Sequence, residues 1–452
     1  MIEVDVMNWQ QLLSTKRLGD VRFHGQRNDE RTEFLRDYDR IIFSSAFRRL
    51  QNKTQVFPLP GSIFVHNRLT HSLEVSSVGR SLGTDVSRRL IEAHPELAGT
   101  HLQESGAIVS AACLAHDMGN PPFGHSGEKA IATFFSEGNG QKYRNDMTPA
   151  EWQDLVRYEG NANSFRLLTH QFKGRREGGF ALTYSTLASI VKYPYPSTFA
   201  VKKQKFGFFQ PDKPTYEMIA RELGISPSPL SSHDENGEVY MRHPFVYLVE
   251  AADDICYEIM DIEDAHKLKI LGLQESLDLL LGFFIEERKE ECRNTLDKIM
   301  DANEKVAYMR SCVIGALEKA CVNIFVENEE KILSGLFEGS LISNLSGELK
   351  EGYQKCEEVS YNKIYFCRDV SSIELAGYKI ISTLIDLYVE AAMTSEKAYS
   401  KLLLSRVSSQ YNITSGTTYE KILGVLDFIS GMTDVYALDL FRKINGDCAS
   451  TV

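Results

Sequence analysis

Apolar residues recur along most of this chain at intervals of three and four, the spacing that puts one face of an α-helix into a core. Ile41, Ile42, Phe43 and Phe47 predict a short helix from Asp39 to about Leu50, with Pro58, Pro60 and Gly61 as the break. A second helix is predicted from Thr70, where Leu73, Val75, Val78 and Leu82 share a face. The run ESGAIVSAACLAHD, 104–117, predicts an apolar helix stopped by Gly119 and the Pro121-Pro122 pair. Further helices are predicted from near Ser126, over 151–172 and over 183–192, with a polar loop at 136–148. The stretch 193–216 differs, since four prolines among phenylalanines predict a loop, or at most a small hairpin near 197–210. After a surface loop at 225–240, a long helix is predicted from Pro244 to Asp261. Helical patterns then fill 270–445, broken near 303, 339, 369 and 416. The expected fold class is all-α. The expected organisation is an N-terminal segment 1–60 contributing to the active site, a core 61–270, and a helical scaffold 271–452.

Composition narrows the function classes. The chain of 452 residues carries 50 lysines and arginines against 62 acidic residues, a net charge of −12 that argues against non-specific nucleic-acid binding as its main task. No run of about 18 apolar residues predicts a membrane span, and the opening residues lack the pattern of a signal peptide. The 8 cysteines are scattered without a CxxC pair, which suits reduced thiols and a cytoplasmic protein. All 11 histidines lie between His24 and His266. Histidine chemistry therefore belongs to the first part of the chain.

Three segments concentrate that chemistry. His116-Asp117 stands at a predicted helix end, where neighbours about 100° apart on the helix can still reach one ion. On its own such a pair reads as a helix cap. His71 stands in NRLTHSLEV, and Asp253 and Asp254 interrupt the apolar face of VEAADDICYEIMDIEDA, where buried carboxylates need a partner or a cation. His71, His116, Asp117 and Asp253 offer two imidazoles and two carboxylates. That neutral sum with a divalent ion suits Mn²⁺, Mg²⁺, Fe²⁺ or Co²⁺ better than structural zinc. His125 and Glu128 are three apart at a helix start and share a face. Lys192, Lys202, Lys203, Lys205 and Lys213 against Asp212 make a local +4, read as a clamp for an anion or, for the middle three, a solvated face.

The order H…HD…D resembles the HD-domain superfamily of metal-dependent phosphohydrolases. More narrowly, DYDRIIFSSAFRRLQNKTQVFPL, NRLTHSLEV, LAHDMGNPPFGHSGEKAI, EGNANSFR, KYPYP, EAADDICYEIMDIEDA and IELAGYKII resemble the deoxyguanosine triphosphate triphosphohydrolase (dGTPase) family. The resemblance implies a mainly helical HD fold and hydrolysis of a dNTP to deoxynucleoside and inorganic triphosphate. It implies His71, His116, Asp117 and Asp253 as metal ligands, with Asp254 as a neighbouring or exchanged position. His125 and Glu128 then handle the proton at the scissile bond, as base toward water or acid toward O5′. Arg68, Asn161, Lys192, Tyr193, Lys213 and Arg310 are expected at the phosphates. Gln51, Tyr257 and Asp261 are expected at the sugar, Tyr257 where a 2′-OH would collide. The family also implies homohexamers or homotetramers and an allosteric nucleotide or single-stranded DNA; it leaves the base preference open. Competing readings are another HD-type hydrolase, such as a nucleotidase or guanosine tetraphosphate hydrolase, and a nucleotide sensor on an inactive HD scaffold.

Overall fold

The computed structural model describes residues 6–19, 31–57, 65–200, 204–231, 234 and 236–447, the side chains of 368 and 369 apart. Pro58, Pro60, Gly61, Lys202 and Lys203 lie outside the described residues. Helix accounts for 67% and strand for 2%, so the all-α expectation holds. Among the described residues the only β pairing is isolated bridges, and a single parallel Pro196–Phe208 bridge stands where a hairpin was expected. No helix of the described residues is long and apolar enough to cross a membrane.

Local polar chemistry sets the element boundaries. Thr32 caps α1 (Glu33–Ile42). The helix predicted across 39–50 is interrupted because the Ser44 hydroxyl accepts the Phe47 amide and starts a new turn at Ser45–Arg49. Asn67 and Thr70 form a capping box at the start of α2 (Arg68–Ala93). A 3₁₀ turn, His101–Glu104, leads into α3 (Ser105–Ala115), which ends at His116. Next comes α4 (Gly124–Ser136). The loop expected at 136–148 is instead a 3₁₀ stretch, Asn139–Asp146, with its polar side chains outward. The helix expected over 151–172 is two: Pro149–Val156, then α5 (Gly160–Thr169). The break follows from Glu159, whose carboxylate turns back to accept the Asn161 amide as N-cap. Beyond α6 (Tyr184–Ile190), the long helix α7 runs Pro244–Lys267, past its expected end. The C-terminal half includes α8 (Ala302–Glu327), α9 (Arg368–Met393), α10 (Thr418–Ser430) and α11 (Asp434–Ile444).

Two apolar clusters hold these helices. In the first, α2, α3, α7 and α8 pack through Val75, Leu82, Leu114, Ile255 and Val313. In the second, α9 packs on both α4 and α10, with Ile131, Phe135, Ile381, Tyr388 and Ile422 in the cluster. Helices carrying the expected metal ligands belong to the first cluster; the helix carrying His125 and Glu128 belongs to the second. The candidate site lies where they meet.

Candidate active site

His71 lies in the first turn of α2, His116 and Asp117 follow the end of α3, and Asp253 comes from the middle of α7. Ligand atoms of His71, His116 and Asp117 lie within 4.8 Å of one another. Asp253 joins them from α7, its Oδ1 3.1 Å from His71 Nε2 and 3.4 Å from His116 Nε2. The turn after α3 that aims His116 and Asp117 at one point is pinned to α5. The Ser164 hydroxyl accepts the Gly119 amide at 2.9 Å and donates to the His116 carbonyl at 2.9 Å.

The donor chemistry fits a divalent cation. His116 Nδ1 donates to the Cys113 carbonyl at 2.6 Å, which leaves Nε2 bare. That Nε2 is buried and lacks a hydrogen-bond partner, a costly arrangement unless an ion meets it. Burial opposes charge on His116, yet Asp117 and Asp253 push it up to about 9, a preference for positive charge at Nε2 that a cation held there would satisfy in place of the proton. Asp253 is held well below the usual carboxylate range, against burial, by His116 and His71. Asp117 is lowered by Arg68, whose Nη1 donates to it at 2.6 Å, and its other oxygen accepts Asn120 Nδ2 at 2.5 Å. Gly124 is required here: it sits at φ +56, and a Cβ would collide with Arg68 Nη2.

Two cavities adjoin the group. The inner one, about 230 Å³, is lined by His116, Asp117, Asp253, Arg68, Asn161, Lys192 and Tyr193. The outer one, about 470 Å³, is lined by Phe123, Arg157, Tyr158, Tyr365 and Ile373 among others. Gln55, His125, Glu128, Glu159, Lys205 and Tyr257 line both and so form the shared wall. Burial, with Arg68 and Lys205 nearby, lowers His125 and keeps its ring neutral. Glu128 does not hydrogen-bond His125. Its Oε1 accepts the Gly160 amide at 2.9 Å, and its Oε2 lies 3.7 Å from Lys205 Nζ. Gly160 admits this contact because a Cβ there would strike Asn120 and Glu128. Lys205 also meets Glu159 Oε1 at 2.5 Å. Burial raises both glutamates, and Lys205 counters it.

Of the expected phosphate residues, Arg68, Asn161, Lys192 and Tyr193 line the inner cavity, with Lys192 3.1 Å from Glu250. Lys213 and Arg310 line neither cavity: Lys213 meets Glu238 at 2.5 Å, and Arg310 meets Glu263 at 2.6 Å. Of the expected sugar residues, Tyr257 lies edge-on to His71 with ring centroids 6.5 Å apart. Asp261 is buried one turn further and accepts the Tyr365 hydroxyl at 2.9 Å. Gln51 is exposed on a 3₁₀ turn away from both cavities, whereas Gln55 reaches them and keeps a buried, unpartnered Oε1. No local pattern singles out Glu159 or Asn120, and of the two readings open for Lys205, a solvated face or an inward charge, the structure shows the second.

Comparison with known proteins agrees with this geometry. Residues 68–148 match the HD domain and residues 343–443 the phosphohydrolase-associated domain, which places the fold and its histidine–aspartate group among HD phosphohydrolases, hydrolases that bind a divalent metal. The chain is 38% identical over 453 residues to a deoxyguanosinetriphosphate triphosphohydrolase-like protein of Pseudomonas aeruginosa (strain LESB58), covering 97% of this chain and 99% of that one. It is 38% identical over 459 residues to a protein of the same name from Synechocystis sp., again covering 97% and 99%. A deoxyguanosinetriphosphate triphosphohydrolase of Salmonella paratyphi A is 29% identical over 497 residues, covering 91% and 93%. The chain belongs to the deoxyguanosinetriphosphate triphosphohydrolase-like family.

Proposed function

We propose that this protein is a metal-dependent dNTP triphosphohydrolase, converting a dNTP and water to a deoxynucleoside and inorganic triphosphate. The observation that carries the reading is the shared wall. His125 and Glu128 face both a chamber holding the metal-ligand group with Lys192 and a larger chamber holding neither. A molecule with a polyanionic half and a nucleoside half suits such a pair, with its P–O5′ bond at the wall. The names of the relatives support the same reaction and make dGTP the first substrate to test.

A divalent ion at His71, His116, Asp117 and Asp253, Mn²⁺ or Mg²⁺ in this reading, supplies Lewis-acid charge to the phosphates. The chain adds positive charge of its own through Arg68, Lys192 and Lys205. Lys205 thereby takes the place expected for Lys213; Lys213, Arg310 and Gln51 are not part of the proposal. In hydrolysis, water adds to the α-phosphorus, the bond from that phosphorus to O5′ breaks, and one proton leaving water is balanced by one reaching O5′. His125 is the ring placed to carry that proton, because a neutral imidazole has one nitrogen that accepts and one that donates. Glu128, held by Gly160 and Lys205, supplies the negative charge that favours the transient imidazolium. Tyr257, packed between His71 and Tyr365, fills the space beside the sugar and excludes a 2′-OH.

The test is turnover of each of the four dNTPs, singly and in pairs, by the purified protein with Mn²⁺, with products separated by chromatography. Deoxynucleoside as the only nucleoside product is expected. Accumulation of dNDP or dNMP overturns the reading in favour of another nucleotidase, and binding without turnover overturns it in favour of a sensor.

A further inference from the structure

Asp434 is the first residue of α11, inside the phosphohydrolase-associated region, yet its buried carboxylate serves the catalytic wall. Oδ2 accepts the Thr54 amide at 2.8 Å and Oδ1 accepts the Phe123 amide at 2.9 Å. These two amides belong to separate irregular segments. One delivers Gln55 to both cavities; the other delivers Gly124 and His125. Phe123 sits at φ 62, a left-handed conformation that a bulky residue keeps only when its surroundings impose it.

Lys53 closes the arrangement. Its buried ammonium donates to the Asn120 carbonyl at 2.5 Å and to the Ser430 carbonyl, at the end of α10, at 2.8 Å. The Lys53–Thr54 segment is also stitched to the start of α2, since the Arg68 amide donates to the Lys53 carbonyl at 3.2 Å. One carboxylate and one ammonium thus join the metal-bearing cluster, the wall that carries His125, and the C-terminal helices. Neither Asp434 nor Lys53 lines either of the two cavities of the site.

We infer that Asp434 is a positioning residue, through which the C-terminal associated region sets the place of His125 relative to the metal-ligand group. Its kinetic readout rests on the proposed dNTP hydrolysis; its structural readout does not. Asp434→Asn keeps one acceptor oxygen but turns an N–H toward one of the two amides and removes the charge. The hydrogen bonds lost are charge-assisted, so kcat falls by about 10- to 100-fold, while nucleotide affinity and stoichiometric Mn²⁺ binding stay within about threefold. Asp434→Glu keeps the charge and moves it by one methylene, and kcat falls by about three- to tenfold with affinity unchanged. Hydrogen–deuterium exchange in the Asn variant quickens at least about tenfold in peptides covering 50–57 and 118–125, with α2 and α9 protected as before.

A kcat within twofold of wild type in the Asn variant, or wild-type exchange in those two peptides, overturns the inference. If the Asn variant does not fold, the Glu variant decides, and wild-type kcat there overturns it. Should the wild type hydrolyse no dNTP, the proposed function falls while the exchange measurement still decides the role of Asp434.

Discussion

Replacing Lys205 by methionine keeps the aliphatic stem and removes the charge shared by Glu159, at 2.5 Å, and Glu128, at 3.7 Å. At the effective dielectric of about 20 that suits such sites, these separations correspond to gross attractions of about 7 and about 4 kcal/mol. Most of that offsets the desolvation of three charges. Removing one partner of a buried ion pair costs about 3–5 kcal/mol. With 28% of the Lys205 side chain exposed, the lower end, about 3 kcal/mol, is expected. The cost depends on pH with a definite sign. Burial already raises both glutamates above 4.5, and losing Lys205 raises them further. The folded variant then holds protons that the unfolded chain has released, so its stability falls as pH rises. The gap in Tm between wild type and variant is therefore small near pH 5 and largest near pH 8. Catalysis suffers as well, because a charge-assisted contact to phosphate is worth about 1.5–3 kcal/mol, or about 10- to 100-fold in kcat/KM. Thermal unfolding at the two pH values and steady-state kinetics with Mn²⁺ measure both effects. A kcat/KM within twofold of wild type, together with a Tm gap that does not change with pH, refutes the reasoning.

Other perturbations separate the parts of the site. His116→Ala or Asp117→Ala abolishes hydrolysis and metal binding together, since neighbours pinned to one helix end cannot shift to replace a ligand; calorimetric titration with Mn²⁺ showing one site in an active variant contradicts this. His125→Ala retains metal and nucleotide but loses about 10²–10⁴ in kcat, the usual worth of proton transfer, and a normal rate with intact binding assigns the ring a structural role. Tyr257→Ala raises the ratio of rGTP to dGTP kcat/KM, because the ring no longer fills the space of a 2′-OH; an unchanged ratio places sugar discrimination elsewhere. Burial lowers His243 from 6.5 to about 4, so its neutral form contributes about 3 kcal/mol above pH 6.5 that is lost as pH falls toward 4. The stability difference between wild type and His243→Gln narrows over that window, and a constant difference across it speaks against the assignment.

Much of this was legible in the amino-acid sequence because its signals are local. His116-Asp117 before Gly119 and the two prolines marks a helix end, and Asp253 within an apolar helix marks a carboxylate with a task. The misplacements share one physical cause: the direction of a long side chain is set by partners far along the chain. A local excess of lysine located the cationic segment, yet which lysine points inward depends on how the loop is tied. Asp154 takes the Ser197 hydroxyl at 2.5 Å and the Gln210 amide at 2.7 Å, and so anchors a residue on either side of Lys205. Lys213 is drawn away by Glu238, 25 residues on. Glu159 was hidden inside an apparently continuous helix, although its capping bond to Asn161 is what divides that helix. Gln51 lies on a 3₁₀ turn, Leu50–Asn52, and Gln55 follows it, so the path of the chain out of that turn decides which one reaches the cavities. Asp434 touches residues 380 and 311 positions away, a separation that no local pattern encodes.

The central claim concerns one bond, that between the α-phosphorus and O5′. It is tested most directly by running the wild-type reaction with dGTP and Mn²⁺ in ¹⁸O-labelled water and following the products by phosphorus NMR and mass spectrometry. The account predicts equimolar deoxyguanosine and inorganic triphosphate, with the label in the triphosphate and none in the nucleoside. Orthophosphate with dGDP, pyrophosphate with dGMP, or label in the deoxyguanosine would contradict it.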